Sequence, residues 1–250
     1  MKHVRLRREL IETARRMNAL GINQGTSGNL GARSGAGVLV TPSGVDYEAL
    51  KPADIVEMDF DGTWRCDTAG RRPSSEWRIH LDILKARPEF GAVVHCHARY
   101  ATALACHRRD IPAFHYMVAV AGGESIRCAP YATFGTAALS RHALEALEGR
   151  SACLLANHGL IAAGCDLAKA LALALEVETL AAQYCQALQI GRPKLLSKTE
   201  MAKVLAKFKA GCGYGSAPRA RAATKAAAEA AAKARRKRKP PSSDGGEFWQ

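Results

Sequence analysis

A short run of small and apolar residues that ends in two histidines constrains the fold of this chain most. The run is Gly91-Ala92-Val93-Val94, and it leads directly into His95-Cys96-His97. Short apolar runs rich in valine are typical of a buried strand. Side chains two residues apart point to the same face of a strand, so both imidazoles can hold one metal ion while Cys96 faces away.

Two histidines make only half of a metal site, and a third histidine supports the interpretation. His158 follows the largely apolar run 152–157 and precedes Gly159. Three imidazoles at strand ends are typical of a catalytic zinc site, which has three protein ligands at about 2.0–2.1 Å and a vacant position for substrate. A pair of core or solvent-facing histidines is the alternative for the His95 and His97 pattern when it stands alone.

The alternation of helical and strand patterns predicts one α/β domain with a central sheet. The predicted helices cover residues 4–20, 76–86, 98–106, 166–188 and 197–208, with Gly21, Asp166 and Ser197 as caps. The predicted strands cover residues 38–41, 55–60, 92–97, 116–120, 152–156 and 160–163, with Trp64 beyond a turn at 61–62. A chain of 250 residues that is 48% hydrophobic can bury one substantial core and does not demand two.

The composition changes abruptly after residue 216. Residues 217–234 contain eleven alanines, and residues 235–239 are all basic. Such a segment has too little large apolar surface to offset the entropy of ordering. We therefore expect a folded domain over 1–212 and a disordered basic tail over 213–250. The tail can touch nucleic acid, but without interleaved aromatic residues the simpler interpretation is a solvated tail.

Cysteine usage and hydropathy indicate the compartment. The chain has eight cysteines, none of them in a Cys-x-x-Cys pair and several in apolar runs, which is typical of reduced thiols. Neither a signal peptide nor an 18-residue uncharged apolar stretch is visible. We expect a cytoplasmic protein without membrane contact. The formal charge of +13 suits an anionic substrate but does not decide the function.

Two loops rich in glycine and polar side chains precede the histidines. The first spans residues 24–29 and contains Thr26, Gly28 and Asn29, and the second spans 41–44 and contains Ser43 and Gly44. Glycines let backbone N–H groups approach an anion, and the side chains add neutral donors. Each loop alone is more typical of a turn than of an anion site.

A third polar segment, Pro73-Ser74-Ser75-Glu76, favours an anion site. These residues are predicted to begin a helix, so the two hydroxyls and the free N–H groups of the first turn point towards the same anion. Glu76 has two interpretations. It is either a carboxylate stabilised by the helix macrodipole, or a group beside a metal that serves as ligand and general base.

Seven short motifs occur in a fixed order between residues 4 and 208. They lie at 24–29, 41–44, 73–78, 94–98, 111–117, 128–136 and 157–159, and read QGTSGN, TPSG, PSSEWR, VHCHA, IPAFHYM, CAPYATFGT and NHG. Together they resemble the class II aldolase/adducin family. The resemblance implies a single α/β domain whose central, mostly antiparallel β-sheet is flanked by helices.

The resemblance also implies an activity and its residues. It implies a zinc-dependent aldolase that cleaves a ketose 1-phosphate, such as L-fuculose 1-phosphate or a related deoxyketose phosphate, to dihydroxyacetone phosphate and an aldehyde such as L-lactaldehyde. The active sites would lie at the subunit interfaces of a homotetramer. The implied ligands of one Zn²⁺ per subunit are His95, His97, His158 and Glu76. The resemblance also implies that Glu76 is the base, that Tyr116 of the neighbouring subunit is the proton donor, and that Phe134 forms part of the active-site wall. The residues that it implies around the phosphate are Thr26, Gly28, Asn29, Ser43, Gly44, Ser74 and Ser75.

One departure from the family and several alternatives stay open. Aldolases of the family have a tyrosine shortly after the equivalent of Phe208-Lys209, where this chain has none until Tyr214. Same-fold alternatives are a sugar-phosphate 4-epimerase, a methylthioribulose-phosphate dehydratase and a tetronate-phosphate decarboxylase. Members that resemble the epimerase tend to have aspartate in place of Glu76, which favours the aldolase. A non-catalytic adducin-like module has no need of four metal ligands.

Overall fold

The computed structural model describes residues 1–210, which include an eight-stranded sheet. The chain divides into units of residues 1–206 and 207–250, and the sheet belongs to the first unit. The strands are β1 (Asn29–Ser34), β2 (Gly37–Val40), β3 (Val56–Asp59), β4 (Trp64–Arg65), β5 (Ala92–Cys96), β6 (Cys128–Ala129), β7 (Ala152–Leu155) and β8 (Gly159–Gly164). Their order is β4-β3-β2-β1-β5-β8-β7-β6, and only β6 and β7 pair in parallel. The mostly antiparallel sheet is confirmed.

Two groups of helices cover the sheet. The helices are α1 (Val4–Ala19), α2 (Trp77–Ala86), α3 (Arg99–Cys106), α4 (Ala137–Ala146), α5 (Leu167–Ile190) and α6 (Lys198–Lys209), with 3-10 turns at Pro52–Asp54 and Tyr116–Ala121. Helices α1 and α3 pack against α5, which lies on β5 and β8, whereas α2 packs against α4 and against β1, β2 and β5. The predicted α/β architecture is therefore correct, with helices flanking the sheet.

Local signals in the sequence account for several helix ends. The Asp166 side chain accepts a hydrogen bond from the backbone N–H of Lys169 at 2.7 Å, which caps α5 as predicted. The Ser197 hydroxyl accepts from the N–H of Glu200 at 3.1 Å and caps α6. Gly21, with φ of +71°, ends α1 in the left-handed conformation that glycine adopts without steric cost.

Strand β5 lies at the centre of the sheet and fixes which side the site faces. All five of its residues are buried. Val93 belongs to the apolar cluster that fills the space between the sheet and helices α2 and α4, together with Ile79 and Leu139. Because alternate residues of a strand face the same side, His95 faces α2 as Val93 does, and Cys96 faces the other layer.

Two predictions of secondary structure are wrong. Residues 116–120 were predicted as a strand, but Tyr116–Ala121 forms a 3-10 helix that begins where the His115 ring accepts a hydrogen bond from the N–H of Met117. The predicted helix 76–86 is confirmed as α2, but Pro73 and the two serines do not begin it, because Pro73 forms an isolated β-bridge with Pro42 and holds the chain extended. Strands β1 and β6 and helix α4 were not predicted.

Some predictions concern residues that the structure does not describe. The tail over 213–250, the domain boundary after residue 212, and the role of Tyr214 all lie outside residues 1–210. Among the helices of the described part, none is both long enough and apolar enough to span a membrane.

Candidate metal centre

Four side chains from four different places in the fold converge on one point. Glu76 lies at the N-terminus of α2, His95 within β5, His97 just beyond the end of β5, and His158 in the turn between β7 and β8. One donor atom from each of them lies within 4.8 Å of all the others. The predicted convergence of the three imidazoles with Glu76 is therefore present in the structure.

The spacing of the donor atoms suits one metal ion. His95 Nε2 lies 3.1 Å from His97 Nε2 and 3.1 Å from Glu76 Oε2, and His158 Nε2 lies 3.2 Å from Glu76 Oε1. Ligands at about 2.0–2.1 Å from a tetrahedral zinc ion would lie about 3.3 Å from one another. Three imidazoles and one carboxylate are a donor set that zinc accepts.

Two atoms of the cluster are placed to bind a cation. Glu76 Oε1 is buried and has no hydrogen-bond partner among the described residues, although buried carboxylate oxygens are normally paired. His95 Nδ1 lies 2.9 Å from the carbonyl oxygen of Leu160, which can only accept, so Nδ1 holds a proton and Nε2 is the ring nitrogen turned towards the other donors. The residues fit a divalent metal ion.

The protonation states agree with this assignment. Burial, followed by the proximity of His95, lowers the pKa of His158 to about 4, and the same two causes lower the pKa of His97. Both rings are therefore neutral at pH 7, which is the form that binds metal. Burial raises the pKa of Glu76, but the interactions with His95 and with the Asn29 amide lower it by more, so the carboxylate is ionised.

Asn29 and His80 form a buried second layer behind Glu76. The Asn29 amide donates to Glu76 Oε2 at 3.0 Å, and Asn29 Oδ1 lies 2.5 Å from His80 Nε2. Asn29 pairs with His95 across β1 and β5, which places both side chains on the same face of the sheet. His80 was not predicted as a site residue. Its spacing of four residues from Glu76 was the available signal, because i and i+4 lie on one face of a helix.

A cavity of about 460 Å³ opens beside the four donors. Its lining includes the predicted residues Thr26, Ser43, Gly44, Ser75, Glu76, His97, Phe134 and His158, together with Ser27, Tyr131, Ala132 and Asn157, which were not predicted. Hydroxyl groups and the backbone of Gly44 line one part, and Tyr131, Ala132 and Phe134 line another. The cavity thus combines a polar region, an apolar region and the metal donors.

Other predicted residues do not line this cavity. The Ser74 hydroxyl is buried and accepts a hydrogen bond from the N–H of Glu76 at 3.3 Å. Gly28 packs so closely that a Cβ atom there would lie 2.6 Å from the carbonyl oxygen of His95. Tyr116 is 48% exposed and is not among the residues that line the cavity in its own subunit.

A family model supports the interpretation of these residues. The model of the class II aldolase and adducin N-terminal domain matches residues 8–185. The chain belongs to this class II aldolase and adducin family. A class II aldolase-type metal site is therefore expected, and the family and the four donors together imply a bound metal ion.

The names of individual relatives agree with the family assignment. It is 58% identical to a 5-methylthioribulose-1-phosphate/5-deoxyribulose-1-phosphate aldolase of Rhodospirillum rubrum, over 82% of the chain and 92% of the relative. It is 50% identical to the L-fuculose phosphate aldolase of Escherichia coli, over 84% and 96%. A solved L-fuculose 1-phosphate aldolase superposes with a TM-score of 0.78 at 42% identity, over 82% and 96%. The chain is an enzyme of the lyase class.

Proposed function

We propose that this protein is a zinc-dependent aldolase that reversibly cleaves a ketose 1-phosphate to dihydroxyacetone phosphate and an aldehyde. The observation that carries the proposal is the cluster of Glu76, His95, His97 and His158. Glu76, His97 and His158 line a cavity that side chains with hydroxyl groups also line. A phosphorylated polyol needs both features, because the hydroxyls bind its phosphate and the donors hold the ion that acts on its carbonyl group.

The proposed substrate is a pentulose 1-phosphate that has no hydroxyl on its fifth carbon. That carbon is either a methyl group, as in a 5-deoxy sugar, or carries a methylthio group. The relative at 58% identity has this activity in its name, and the L-fuculose phosphate aldolases are less similar at 50%. The apolar region of the cavity, formed by Tyr131, Ala132 and Phe134, suits such a group. L-Fuculose 1-phosphate, which releases L-lactaldehyde, is the second candidate.

Each part of the cavity has a proposed task. Thr26, Ser27, Ser43 and Ser75, with the backbone at Gly44, bind the phosphate through neutral donors. A bound zinc ion would supply Lewis-acid stabilisation of the negative charge that develops on the substrate carbonyl oxygen. Glu76 accepts and returns the proton at Oε1, the oxygen that has no hydrogen-bond partner within the described residues.

Tyr116 is proposed to act in the neighbouring subunit of a homotetramer. It is exposed, and it lies on the 3-10 helix Tyr116–Ala121 rather than in the cavity of its own chain. A phenol is a suitable proton donor for the aldehyde oxygen when the carbon–carbon bond breaks. A shared active site of this kind would make catalysis depend on assembly.

A substrate panel tests the proposal. The zinc-loaded protein is incubated with 5-methylthioribulose 1-phosphate, 5-deoxyribulose 1-phosphate and L-fuculose 1-phosphate, and dihydroxyacetone phosphate is measured with a coupled NADH-dependent reductase. We expect release from all three, with kcat/KM highest for the two pentulose phosphates. Conversion of a sugar phosphate without dihydroxyacetone phosphate would instead indicate an epimerase, a dehydratase or a decarboxylase of the same fold.

A further inference from the structure

A chain of buried hydrogen bonds leads from His80 through Asn29 to Glu76. His80 Nε2 lies 2.5 Å from Asn29 Oδ1, and Asn29 Nδ2 lies 3.0 Å from Glu76 Oε2. The three residues are 0%, 5% and 4% exposed, so water does not compete with these bonds. Hydrogen bonds in such surroundings are stronger than at the surface and fix the groups that they join.

Only one arrangement of protons satisfies this chain. An ionised Glu76 carboxylate accepts and cannot donate, so the Asn29 NH₂ group must face it. The Asn29 oxygen then faces His80 and also only accepts, so His80 Nε2 holds a proton. His80 Nδ1 has no hydrogen-bond partner among the described residues, which agrees with an unprotonated nitrogen in a neutral ring.

The packing around His80 holds its ring in place and keeps it away from substrate. A Cβ atom at Gly31 would lie 2.6 Å from His80 Cβ and 2.9 Å from His80 Nδ1, so strand β1 can approach this helix only because residue 31 is glycine. His80 is fully buried and does not line the cavity. Its hydrogen-bonded route to the site runs through Asn29.

We propose that His80 is a positioning residue, whose Nε2–H holds the Asn29 amide in the one orientation that donates to Glu76. In that orientation Glu76 Oε2 is occupied and Oε1 is left for the metal or for the proton. Without the His80 N–H, the Asn29 oxygen is buried without a donor, and nothing on that side holds the amide in place. The amide can then rotate or shift away from Glu76, and the carboxylate loses the contact that fixes it among the metal donors. The inference rests on the proposed function only where it takes Glu76 as the base.

Two substitutions of His80 separate positioning from packing. His80→Leu keeps a buried side chain of similar size without a donor, whereas His80→Gln keeps an N–H that can reach Asn29. Losses of 10- to 100-fold in metal affinity or activity are typical, in order of magnitude, when a hydrogen bond behind a metal ligand is removed. We expect losses of about this size in zinc affinity and in kcat for His80→Leu, little change in KM, and recovery of most of both in His80→Gln.

Zinc affinity, measured by competition with a chelator, gives a readout that needs no turnover. Ser140→Ala is the matched control. Ser140 is 1% exposed and its hydroxyl donates to Asp82 of the same helix α2 at 2.7 Å, but neither residue touches the site. This variant should lose unfolding free energy and keep the wild-type zinc affinity and kcat.

The inference is overturned if His80→Leu keeps the wild-type zinc affinity and kcat. It is also overturned if His80→Leu and His80→Gln lose both equally, because that result would assign His80 a packing role. Failure of the proposed function looks different. In that case the wild-type protein releases no dihydroxyacetone phosphate from any ketose phosphate, but the zinc affinity of His80→Leu is still lower than that of His80→Gln.

Discussion

Replacing Glu76 by glutamine removes a charge and a proton acceptor from the candidate site and changes little else. The oxygen of the introduced amide can accept from the Asn29 amide, as Oε2 does at 3.0 Å. Its NH₂ group then takes the place of Oε1, which lies 3.2 Å from His158 Nε2. The three imidazoles keep their positions, so we expect this variant to bind zinc with lower affinity but to retain most of its metal when zinc is supplied in excess.

The expected effect on turnover follows from the lost proton acceptor. A neutral amide cannot take up the proton that Glu76 is proposed to move, and loss of a general base typically costs about 10²–10⁴ in rate. At about 1.36 kcal/mol per tenfold change, this corresponds to about 2.7–5.4 kcal/mol of transition-state stabilisation. The assay is release of dihydroxyacetone phosphate at saturating substrate, with zinc content measured on the same sample.

Glu57→Gln is the matched control for Glu76→Gln. Glu57 is also a buried carboxylate, at 8% exposure, but it lies on β3 and bonds to Arg65 at 2.7 Å and to Arg7 at 3.4 Å, outside the cavity. Breaking these partly buried ion pairs should lower the free energy of unfolding without changing kcat. A near-normal rate in zinc-loaded Glu76→Gln would refute the assignment of Glu76 as the base.

Three further predictions follow from the same site. His158→Ala or His95→Ala should lower zinc content and activity together while the fold survives. Metal analysis measures the zinc content, and circular dichroism checks the fold. Wild-type metal content in both variants would contradict the ligand assignment. Mixed tetramers of Tyr116→Phe and Glu76→Gln should regain cleavage activity that neither parent shows, because some sites then contain both an intact Tyr116 and an intact Glu76. If mixtures shown by mass spectrometry to contain both chains recover no activity, Tyr116 does not act in a shared site. Burial, followed by the proximity of His95, lowers the pKa of His80 to about 3, so the ring stays neutral in the fold and takes up a proton in the unfolded chain below about pH 6.5. The contribution of His80 to stability should therefore be complete above about pH 6.5 and fall by about 1.4 kcal/mol per pH unit towards pH 3, and urea unfolding should show a weaker pH dependence in His80→Gln than in the wild type.

The sequence predicted the metal donors well because their spacing is tied to local structure. His95 and His97 follow from alternation along a strand, and the structure confirms that they converge while Cys96 faces away. Burial raises the pKa of the Cys96 thiol to about 12, so it stays protonated. His158 was predicted as a third ligand from its position after an apolar run. Glu76 had two interpretations from its position alone, and the family resemblance favoured that of a metal ligand.

Other features depend on contacts that no local pattern contains. The resemblance implies that Asn29 and Ser74 lie around the phosphate. In the structure the Asn29 amide donates to Glu76, and the Ser74 hydroxyl accepts from the backbone N–H of Glu76. Strand β1 was missed because its small residues resemble a loop until they pair with β2 and β5. The run Tyr116–Ala121 contains valines and resembles a strand, yet Val118 and Ala121, three residues apart, are both buried, as suits a 3-10 turn.

The most direct test of the central claim is the metal dependence of dihydroxyacetone phosphate release. The protein is stripped of metal with a chelator, dialysed, and assayed with 5-deoxyribulose 1-phosphate before and after one equivalent of zinc is added. We predict no release from the stripped protein and restored release, in a one-to-one ratio to the substrate consumed, once zinc occupies the cluster of Glu76, His95, His97 and His158. Full cleavage by the stripped protein, or consumption of substrate without dihydroxyacetone phosphate after zinc is restored, would contradict the assignment.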